Sequence, residues 1–416
     1  MKRATLLALI ALASAVGCEK ADEETNSDQP AGVTMFGDDL SFLREHTDVV
    51  VLSDESGMSR VAVSPALQGR VLTSTARGDE GLSYGWINRE LIASGERQEH
   101  INAFGGEDRF WIGPEGGQYS IYFAPGDPFD LEHWQVPAEF DWEPFEVVEQ
   151  SREWVVFEKA MELTNYSETE FDLNVRREVR LLDRAEAAEE FGVALDTAVS
   201  VVAFESANTM SNTGDAAWTK EGGLLSVWIL GMFNPSPATT VVVPYREGPE
   251  SELGPIVNDE YFGKVPDDRL RDDDGVLYFS GDGEYRSKIG LSKSRSRPIL
   301  GSYDAKNQVL TLVQYTLPGG EEDYVNSMWE IQDDPYGGDV VNSYNDGPPA
   351  PGAEPMGPFY ELESSSPAAA LAPGDSLVHV HRTVHIQGSR EELDRIARAA
   401  LGRSLDAIEG AFGSVS

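Results

Sequence analysis

The sequence predicts an all-β fold: a large β-sandwich with few short helices. Apolar runs of strand length recur along the chain with turn residues between them, and β-branched and aromatic residues dominate these runs. Many runs alternate polar and apolar positions, which is typical of strands with one buried face. Because these runs follow one another without intervening helical patterns, we expect antiparallel sheets that stack face to face.

Residues 1–17 have the pattern of a lipoprotein-type signal peptide. Two basic residues precede an apolar run, and small residues lie directly before Cys18, the only cysteine of the chain. This arrangement resembles a bacterial lipobox, in which the cysteine is lipidated. A plain secretory signal with an incidental cysteine is the alternative, and both predict export. Glu19 follows the cysteine, and by the same resemblance it implies the outer membrane of a Gram-negative host.

The remaining chain is predicted to contain a tether and one domain. Residues 18–35 are acidic and rich in turn-forming residues, as expected for a disordered tether. No Pro/Gly-rich linker divides residues 36–416, so we expect a single sandwich domain with a C-terminal helical segment. Helices are predicted at 37–46 and after Ser389, which forms a capping-box pattern with Glu392.

The charge and the missing motifs exclude several classes of function. The formal net charge is −40, and so negative a surface repels nucleic acid and anionic lipid headgroups. We therefore expect no nucleic-acid partner and no membrane contact beyond the lipid anchor. The chain has no GxSxG, Walker, HExxH or CxxC motif, which argues against serine-hydrolase, nucleotide and zincin chemistry.

Several segments resemble the galactose mutarotase-like superfamily. GRVLTS and FGGEDRFWIGPEGG resemble its early strands, and YELESSSPAAALAPGDSLVHVHRTVHI resembles its closing strands. A further set resembles an uncharacterised bacterial family of secreted proteins in that superfamily, over most of residues 45–390: GLLSVWILGMFNPSP, DEYFGKVPDDRL, EYRSKIGLSKSR, LGSYD, YVNSMWEIQDDPYGGDVVNSYNDG and FYELES. The resemblance implies a β-supersandwich whose larger, concave sheet binds carbohydrate. Sugar epimerases, glycoside hydrolase domains and polysaccharide lyases share that fold, so it implies no single reaction.

The resemblance also implies a catalytic carboxylate. Glu363 matches the base of the mutarotase Leu-Glu-Thr segment, and Glu361 lies two residues earlier on the same face of a strand. The last strand carries three histidines at alternating positions, so their side chains face one side of it. If the two strands are neighbours, the glutamates and histidines form an acid–base cluster. The catalytic candidates are Glu363, Glu361, His381 and His385.

Two alternatives remain open for the histidines His379, His381 and His385. They are either polar residues on a half-exposed face or, with a nearby glutamate, ligands of a divalent metal that nothing else in the sequence supports. No cofactor is predicted. The histidines that act as acids in mutarotases lie upstream, where this chain has only His46, His100 and His133, none in a matching motif.

The remaining candidates are polar and aromatic side chains suited to bind a sugar. Arg109 beside Trp111 matches the arginine that the family presents to its sugar. Lys220 and Lys288 are predicted either to hold a uronate or sulfate or to form surface salt bridges. The region around 326–346 is interpreted as polar loops rather than strands. The predicted substrate-binding residues are Arg109, Trp111, Lys220, Lys288, Asn326, Trp329, Glu330, Asn342, Asn345, His379 and Arg382.

Together these features predict an exported carbohydrate-binding protein. We expect it to act on an oligo- or polysaccharide at the cell surface through a Glu/His acid–base pair. A lyase, an epimerase and a hydrolase all need a base near a ring carbon, so the reaction stays open. The alternatives are a non-catalytic sugar-binding lipoprotein and a structural envelope lipoprotein.

Overall fold

The strands account for most of the architecture in the computed structural model, which describes residues 34–413. In chain order they are β1 (Val50–Ser53), β2 (Arg60–Ser64), β3 (Arg70–Thr75), β4 (Arg109–Gly113), β5 (Glu146–Gln150), β6 (Trp154–Thr164), β7 (Glu170–Leu181), β8 (Ser200–Asn212), β9 (Ser226–Phe233), β10 (Thr239–Pro244), β11 (Leu270–Asp273), β12 (Val276–Ser280), β13 (Ser287–Ser292), β14 (Ile299–Asp304), β15 (Val309–Tyr315), β16 (Asp339–Asn345), β17 (Tyr360–Ser365) and β18 (Ser376–Gln387). The helices are short: α1 (Phe36–His46), α2 (Arg89–Ser94), α3 (Ala138–Asp141), α4 (Arg184–Glu190), α5 (Glu250–Leu253), α6 (Arg390–Leu401) and α7 (Leu405–Glu409).

The strands form three antiparallel sheets. A ten-stranded sheet has the order β11-β12-β10-β14-β15-β18-β8-β7-β6-β5, and a five-stranded sheet has the order β13-β16-β17-β9-β4. A third sheet, β1-β2-β3, has three strands. Neighbouring strands pair antiparallel in every sheet, as in β16 with β17 and β17 with β9. The all-β prediction with few short helices is confirmed.

The main core lies between the five-stranded and ten-stranded sheets. Ile289, Val341 and Leu362 of the smaller sheet pack with Leu300 and Val313 of the larger one. Towards β4, a second cluster joins apolar residues of both sheets in the same way. The opposite face of the five-stranded sheet is therefore the face available for a site.

Helices cover part of the other face of the ten-stranded sheet. Leu393 and Ile396 of α6 and Leu405 of α7 pack with Val384 and Ile386 of β18. The predicted C-terminal helix is thus confirmed, and so is the helix predicted at 37–46, which is α1. The periodic apolar positions of α6 supply the buried face.

The N-terminal cap of α6 gives a testable contribution to stability. The Ser389 side chain accepts a hydrogen bond from the Glu392 backbone N–H at 3.3 Å, which satisfies one of the first free donors of the helix. We expect Ser389→Ala to lower the free energy of unfolding by about 1 kcal/mol. Ser41→Ala, at an exposed position inside α1, is the control. An equal effect of both variants in chemical denaturation would contradict a capping role.

The predicted signal peptide, Cys18 and the tether up to residue 33 lie outside the described residues. The last two tether residues already belong to the fold, because Met35 forms a β-bridge with Leu82 and the Thr34 hydroxyl donates to Asp39. Among residues 34–413, no helix is long and apolar enough to cross a membrane.

One structural interpretation of the sequence was wrong. Asn342 and Asn345 lie on strand β16 rather than in a loop. Residues 340–345 of this strand are buried on both faces, so the strand lacks the alternation of polar and apolar residues that marks half-exposed strands. Asn326, Trp329 and Glu330 lie outside helices and strands, as expected.

Candidate active site

A groove of about 320 Å³ lies on the outer face of the five-stranded sheet. Directly paired residues of neighbouring strands face the same side of a sheet, and this register builds the floor of the groove. One cross-strand row contains Lys288, Tyr344, Glu361 and Met232. The next row contains Asn342, Glu363, Leu230 and Arg109.

Tryptophans form the walls of the groove. Trp134 and Trp329 stack with their ring centroids 5.6 Å apart, and Trp111 and Trp228 meet edge to face at 5.6 Å. The rim adds apolar side chains that are exposed to solvent: Leu131, Phe262 and Met356. Aromatic rings present flat apolar faces, so the groove can contact the C–H surface of a ligand as well as its polar groups.

Two buried ion pairs hold the polar part of the floor. Arg109 Nη2 donates to Glu361 Oε1 at 2.8 Å, and Lys288 Nζ donates to Glu363 Oε2 at 3.0 Å. Trp228 Nε1 also donates to Glu363 Oε2, at 2.9 Å. The second oxygen of Glu363, Oε1, accepts no hydrogen bond from the residues that the structure describes. The two glutamates predicted from the sequence therefore face the same side of the sheet: Glu361 lines the groove, and Glu363 is fully buried next to Lys288 and Trp228.

The pKa values of three groove residues, Glu361, Glu115 and Lys288, are shifted upwards. Burial raises the pKa of Glu361; Arg109 opposes this shift and the neighbouring Glu363 adds to it. Burial likewise raises the pKa of the half-buried Glu115 to about 7, with Lys288 opposing. Burial lowers the pKa of Lys288, but Glu363, Glu115 and Glu361 outweigh it, so the net shift is upwards. The groove therefore combines a cation, Lys288, with two carboxyl groups, Glu361 and Glu115, whose pKa values are raised.

The histidines do not join this groove, which corrects the expected acid–base cluster. Strand β18 belongs to the ten-stranded sheet, and its histidines face the interior between the two sheets. Ser364 Oγ lies 2.8 Å from both His379 Nε2 and His381 Nδ1. Ser364 follows Glu363 on β17, and successive side chains of a strand point to opposite faces. The glutamates thus face the groove while the histidines lie behind the sheet.

His385 belongs to a separate buried network. Its Nε2 lies 2.8 Å from Glu107 Oε2, and its Nδ1 lies 2.8 Å from Thr311 Oγ1. The Tyr84 ring stacks on the imidazole at 4.3 Å. All of these groups are buried. The histidines share one face, as the alternation predicts, but that face is the interior of the sandwich.

The other predicted residues divide between the groove and distant positions. The groove is lined by Arg109, Trp111, Lys288 and Trp329. Asn342 lines a small neighbouring cavity together with Lys288, and its side chain donates to the Tyr261 hydroxyl. Four others have local partners elsewhere. Lys220 pairs with Asp323, Asn326 and Asn345 bind loop carbonyls, and Arg382 binds Glu205 on the helix-covered face of the larger sheet. Glu330 is exposed outside the groove. These five residues are therefore not brought to the site.

Some groove residues were not predicted from the sequence: Glu115, Trp134, Trp228, Arg286 and His100. The sequence did carry a signal for Trp228. In the apolar run LLSVWIL it lies two residues before Leu230, so both side chains face the same side of a strand. Glu115 lies within FGGEDRFWIGPEGG, the segment in which only Arg109 and Trp111 were predicted to bind a sugar. Loops bring the other residues to the groove, and the sequence carries no periodic signal for that placement.

The groove does not lie on the sheet that the resemblance implied for sugar binding. The resemblance implied the larger sheet, whereas the groove lies on the five-stranded one. One face of the ten-stranded sheet packs against the smaller sheet, and α4, α6 and α7 cover part of the other.

Within residues 34–413, no group of three or more His, Cys, Asp or Glu side chains is placed to hold a metal ion.

The buried histidines make stability depend on pH. Burial lowers the pKa of His381 from 6.5 to about 4. The unfolded chain therefore binds a proton first as the pH falls, and folding stability is lost between these two values. Relative to His381→Gln, we expect the free energy of unfolding of the wild-type protein to fall by about 1.4 kcal/mol per pH unit below 6.5.

His133→Gln is the control for this pH dependence. His133 is exposed and its pKa is raised by Asp130, so removing it should not reproduce the loss. The melting temperatures of the wild-type and His381→Gln proteins are compared from pH 7 to pH 4.5. If both fell by the same amount, His381 would have to be protonated in the folded state, which contradicts the lowered pKa.

Fold and site together define an all-β sandwich protein with a tryptophan-lined groove and paired carboxyl groups on one sheet. The chain belongs to the family described as "Family of unknown function (DUF6786)", which matches residues 34–412. No curated protein matches the sequence.

Several solved structures are similar to this chain at low sequence identity. The Slr1438 protein from Synechocystis sp. PCC 6803 is 13% identical, with a TM-score of 0.48 over 82% of this chain and 96% of its own. A galactose mutarotase-like protein from Lactobacillus casei ATCC 334 is 10% identical, with a TM-score of 0.46 over 82% and 100%. A galactose mutarotase related enzyme from Lactobacillus acidophilus is 11% identical, with a TM-score of 0.43 over 81% and 97%.

Proposed function

We propose that the groove on the five-stranded sheet binds a carbohydrate. The observation that carries this proposal is the combination of tryptophan walls with a floor of ion-paired carboxyl, guanidinium and ammonium groups. A sugar ring has an apolar C–H face and a rim of hydroxyls. It therefore needs an aromatic surface and several polar groups that both donate and accept hydrogen bonds. The volume of about 320 Å³ and the apolar rim suit a unit of an oligo- or polysaccharide.

We infer that Glu361 acts as a proton donor to a bound sugar and that Glu363, buried behind Lys288 and Trp228, is the charged partner that sets its environment. Glu361 lines the groove and has a raised pKa, while the buried Glu363 accepts hydrogen bonds from Lys288 and Trp228 through Oε2. Two neighbouring carboxyl groups in different environments can hold different protonation states. This pair replaces the Glu/His pair expected from the sequence, because the histidines face away from the groove.

A tryptophan substitution tests the binding proposal. Trp329 is half-buried and stacks on Trp134 in the wall, so we expect Trp329→Ala to weaken oligosaccharide binding roughly tenfold. Trp154→Ala, at a half-buried position of β6, is the matched control. Tryptophan fluorescence titrations measure both, since the walls of the groove are tryptophans. Equal affinities for Trp329→Ala and the wild-type protein would argue against the groove as the binding site.

A second candidate function is sugar binding without catalysis. Both glutamates are buried and ion-paired, which also suits a purely structural role for them. Binding in the fluorescence titrations without chemical change of the sugar would favour this candidate.

We propose export and a lipid anchor at Cys18, most simply in the outer membrane. The proposal rests on the sequence pattern of residues 1–18, which lie outside the described part of the chain. Mass spectrometry of the protein from an envelope fraction would show a diacylglyceryl-modified first cysteine, and Cys18→Ala should release the protein from that fraction. An unmodified Cys18 in the mature protein would refute the anchor.

A further inference from the structure

Two cations line the edge of the groove that β13 forms. Arg286 precedes the strand and Lys288 lies on it, two residues apart, and both line the groove. The loop residues Tyr261 and Phe262 cover them. The Arg286 guanidinium carbon lies 3.9 Å from the Phe262 ring centroid, and Lys288 Nζ lies 5.4 Å from that of Tyr261. Aromatic stacking restricts the guanidinium and leaves its N–H groups at the groove.

Arg286 differs from Arg109 and Lys288 because no carboxylate in the described part of the chain pairs with it. Arg109 and Lys288 each contact a glutamate at 2.8 Å and 3.0 Å. In contrast, no carboxylate of residues 34–413 lies within 4.0 Å of the Arg286 guanidinium, which also donates no hydrogen bond to these residues. The chain has 72 acidic against 32 basic residues, so a free arginine beside a groove contrasts with its surroundings.

Two acidic residues that line the groove together with Arg286 have raised pKa values. Asp346 is buried; its two oxygens accept from the Tyr344 hydroxyl at 2.6 Å and the Gly357 N–H at 2.9 Å, and burial raises its pKa. Glu115 has a pKa of about 7, raised by burial.

The carboxyl groups of Glu361 and Glu363 are paired with cations. The remaining acidic residues of the lining, Glu99 and Glu354, are exposed, so solvent and salt screen their charges.

We propose that the groove binds an acidic sugar, with Arg286 holding the carboxylate or sulfate group of the ligand. A planar guanidinium with free N–H groups matches two oxygens of such an anion in a bidentate arrangement. Lys288 adds positive charge beside it. This inference rests on the proposed carbohydrate function and assigns the class of sugar. It also gives a role to the segments DEYFGKVPDDRL and EYRSKIGLSKSR, which supply the aromatic and the basic residues.

The first test compares ligands on the wild-type protein. For several sugar backbones, a neutral tetrasaccharide, its uronate counterpart and its sulfated counterpart are titrated calorimetrically at low salt. We expect at least about tenfold tighter binding of an acidic member than of its neutral counterpart. The preferred acidic member shows whether the anion is a carboxylate or a sulfate. Neutral members that bind as tightly as the acidic ones would overturn the acidic-sugar inference and leave the proposed function intact. No binding by any member would overturn both.

The second test removes the arginine. Arg286→Gln should weaken binding of the acidic ligand at least about tenfold and leave the neutral ligand unchanged, and Arg286→Lys should recover part of the loss. Arg398→Gln on α6 makes the same charge change on the far side of the molecule and should leave both affinities unchanged. If Arg286→Gln lowers acidic and neutral binding equally, the role of Arg286 is refuted. Melting temperatures show whether each variant is folded, and the wild-type comparison does not depend on them.

Discussion

Replacement of Glu361 by glutamine is expected to lower the turnover of the sugar by about 10² to 10⁴. Glutamine keeps the shape of the side chain and can still contact Arg109, but it cannot donate a proton to a leaving or ring oxygen. Affinity should change far less than turnover, because the tryptophan walls remain. The measurement is the initial rate of product formation, with affinity measured by titration. In the wild-type protein, the rate should fall as the pH rises and Glu361 loses its proton.

Glu330→Gln is the control for this prediction. It makes the same chemical change at an exposed position outside the groove and should leave turnover unaffected. If Glu361→Gln retained full turnover, the acid role of Glu361 would be excluded and the groove would be left with a binding function. A loss of turnover with Glu363→Gln alone would assign the essential proton transfer to Glu363.

Asp108→Asn is expected to produce the largest loss of stability, about 3 to 5 kcal/mol. Asp108 Oδ1 contacts Arg177 Nη2 at 2.6 Å, Asp108 Oδ2 accepts from Ser206 at 2.7 Å, and all three side chains are buried between the sheets. Removing the aspartate charge leaves the Arg177 guanidinium buried without a counter-ion. Chemical denaturation measures the loss, and tryptophan fluorescence gives the signal.

Asp79→Asn provides the comparison for this buried pair. Asp79 also pairs with an arginine, Arg60, but its side chain is 62% exposed. Solvent screens such a pair, so its removal should change the stability by less than about 1 kcal/mol. Similar losses for the two variants would mean that burial does not determine the strength of the Asp108–Arg177 pair.

The strands that the sequence predicted best are those with one apolar face. β7 alternates along its whole length, and β6 alternates over its C-terminal half, because one side packs in the core and the other meets solvent. β13 and β16, which build the groove floor, were not recognised. In both strands, one face packs in the core and the other faces the groove, and most side chains on both faces are buried. The groove side carries Lys288 and Asn342, where an apolar residue would complete the pattern of a buried strand.

Only part of the candidate site could be predicted from the sequence, because a local pattern gives the face of a strand but not its neighbours. Strand parity correctly placed Glu361 and Glu363 on one face, and the family resemblance supplied Arg109. Parity also placed the histidines on one face, but it cannot tell which sheet a strand joins. The pairing of β18 with β8 and β15 depends on contacts distant in sequence. For the same reason, Trp134 and Arg286, which loops bring to the groove, carried no local signal.

The most direct test of the central claim is proton NMR of neutral, uronate and sulfated oligosaccharides with the purified protein. Binding in the groove predicts that the lines of at least one sugar broaden with the wild-type protein and broaden less with Trp329→Ala. New anomeric or unsaturated-sugar signals would add that the bound sugar is transformed. Unchanged spectra across a broad panel, with a folded protein, would contradict carbohydrate binding by this groove.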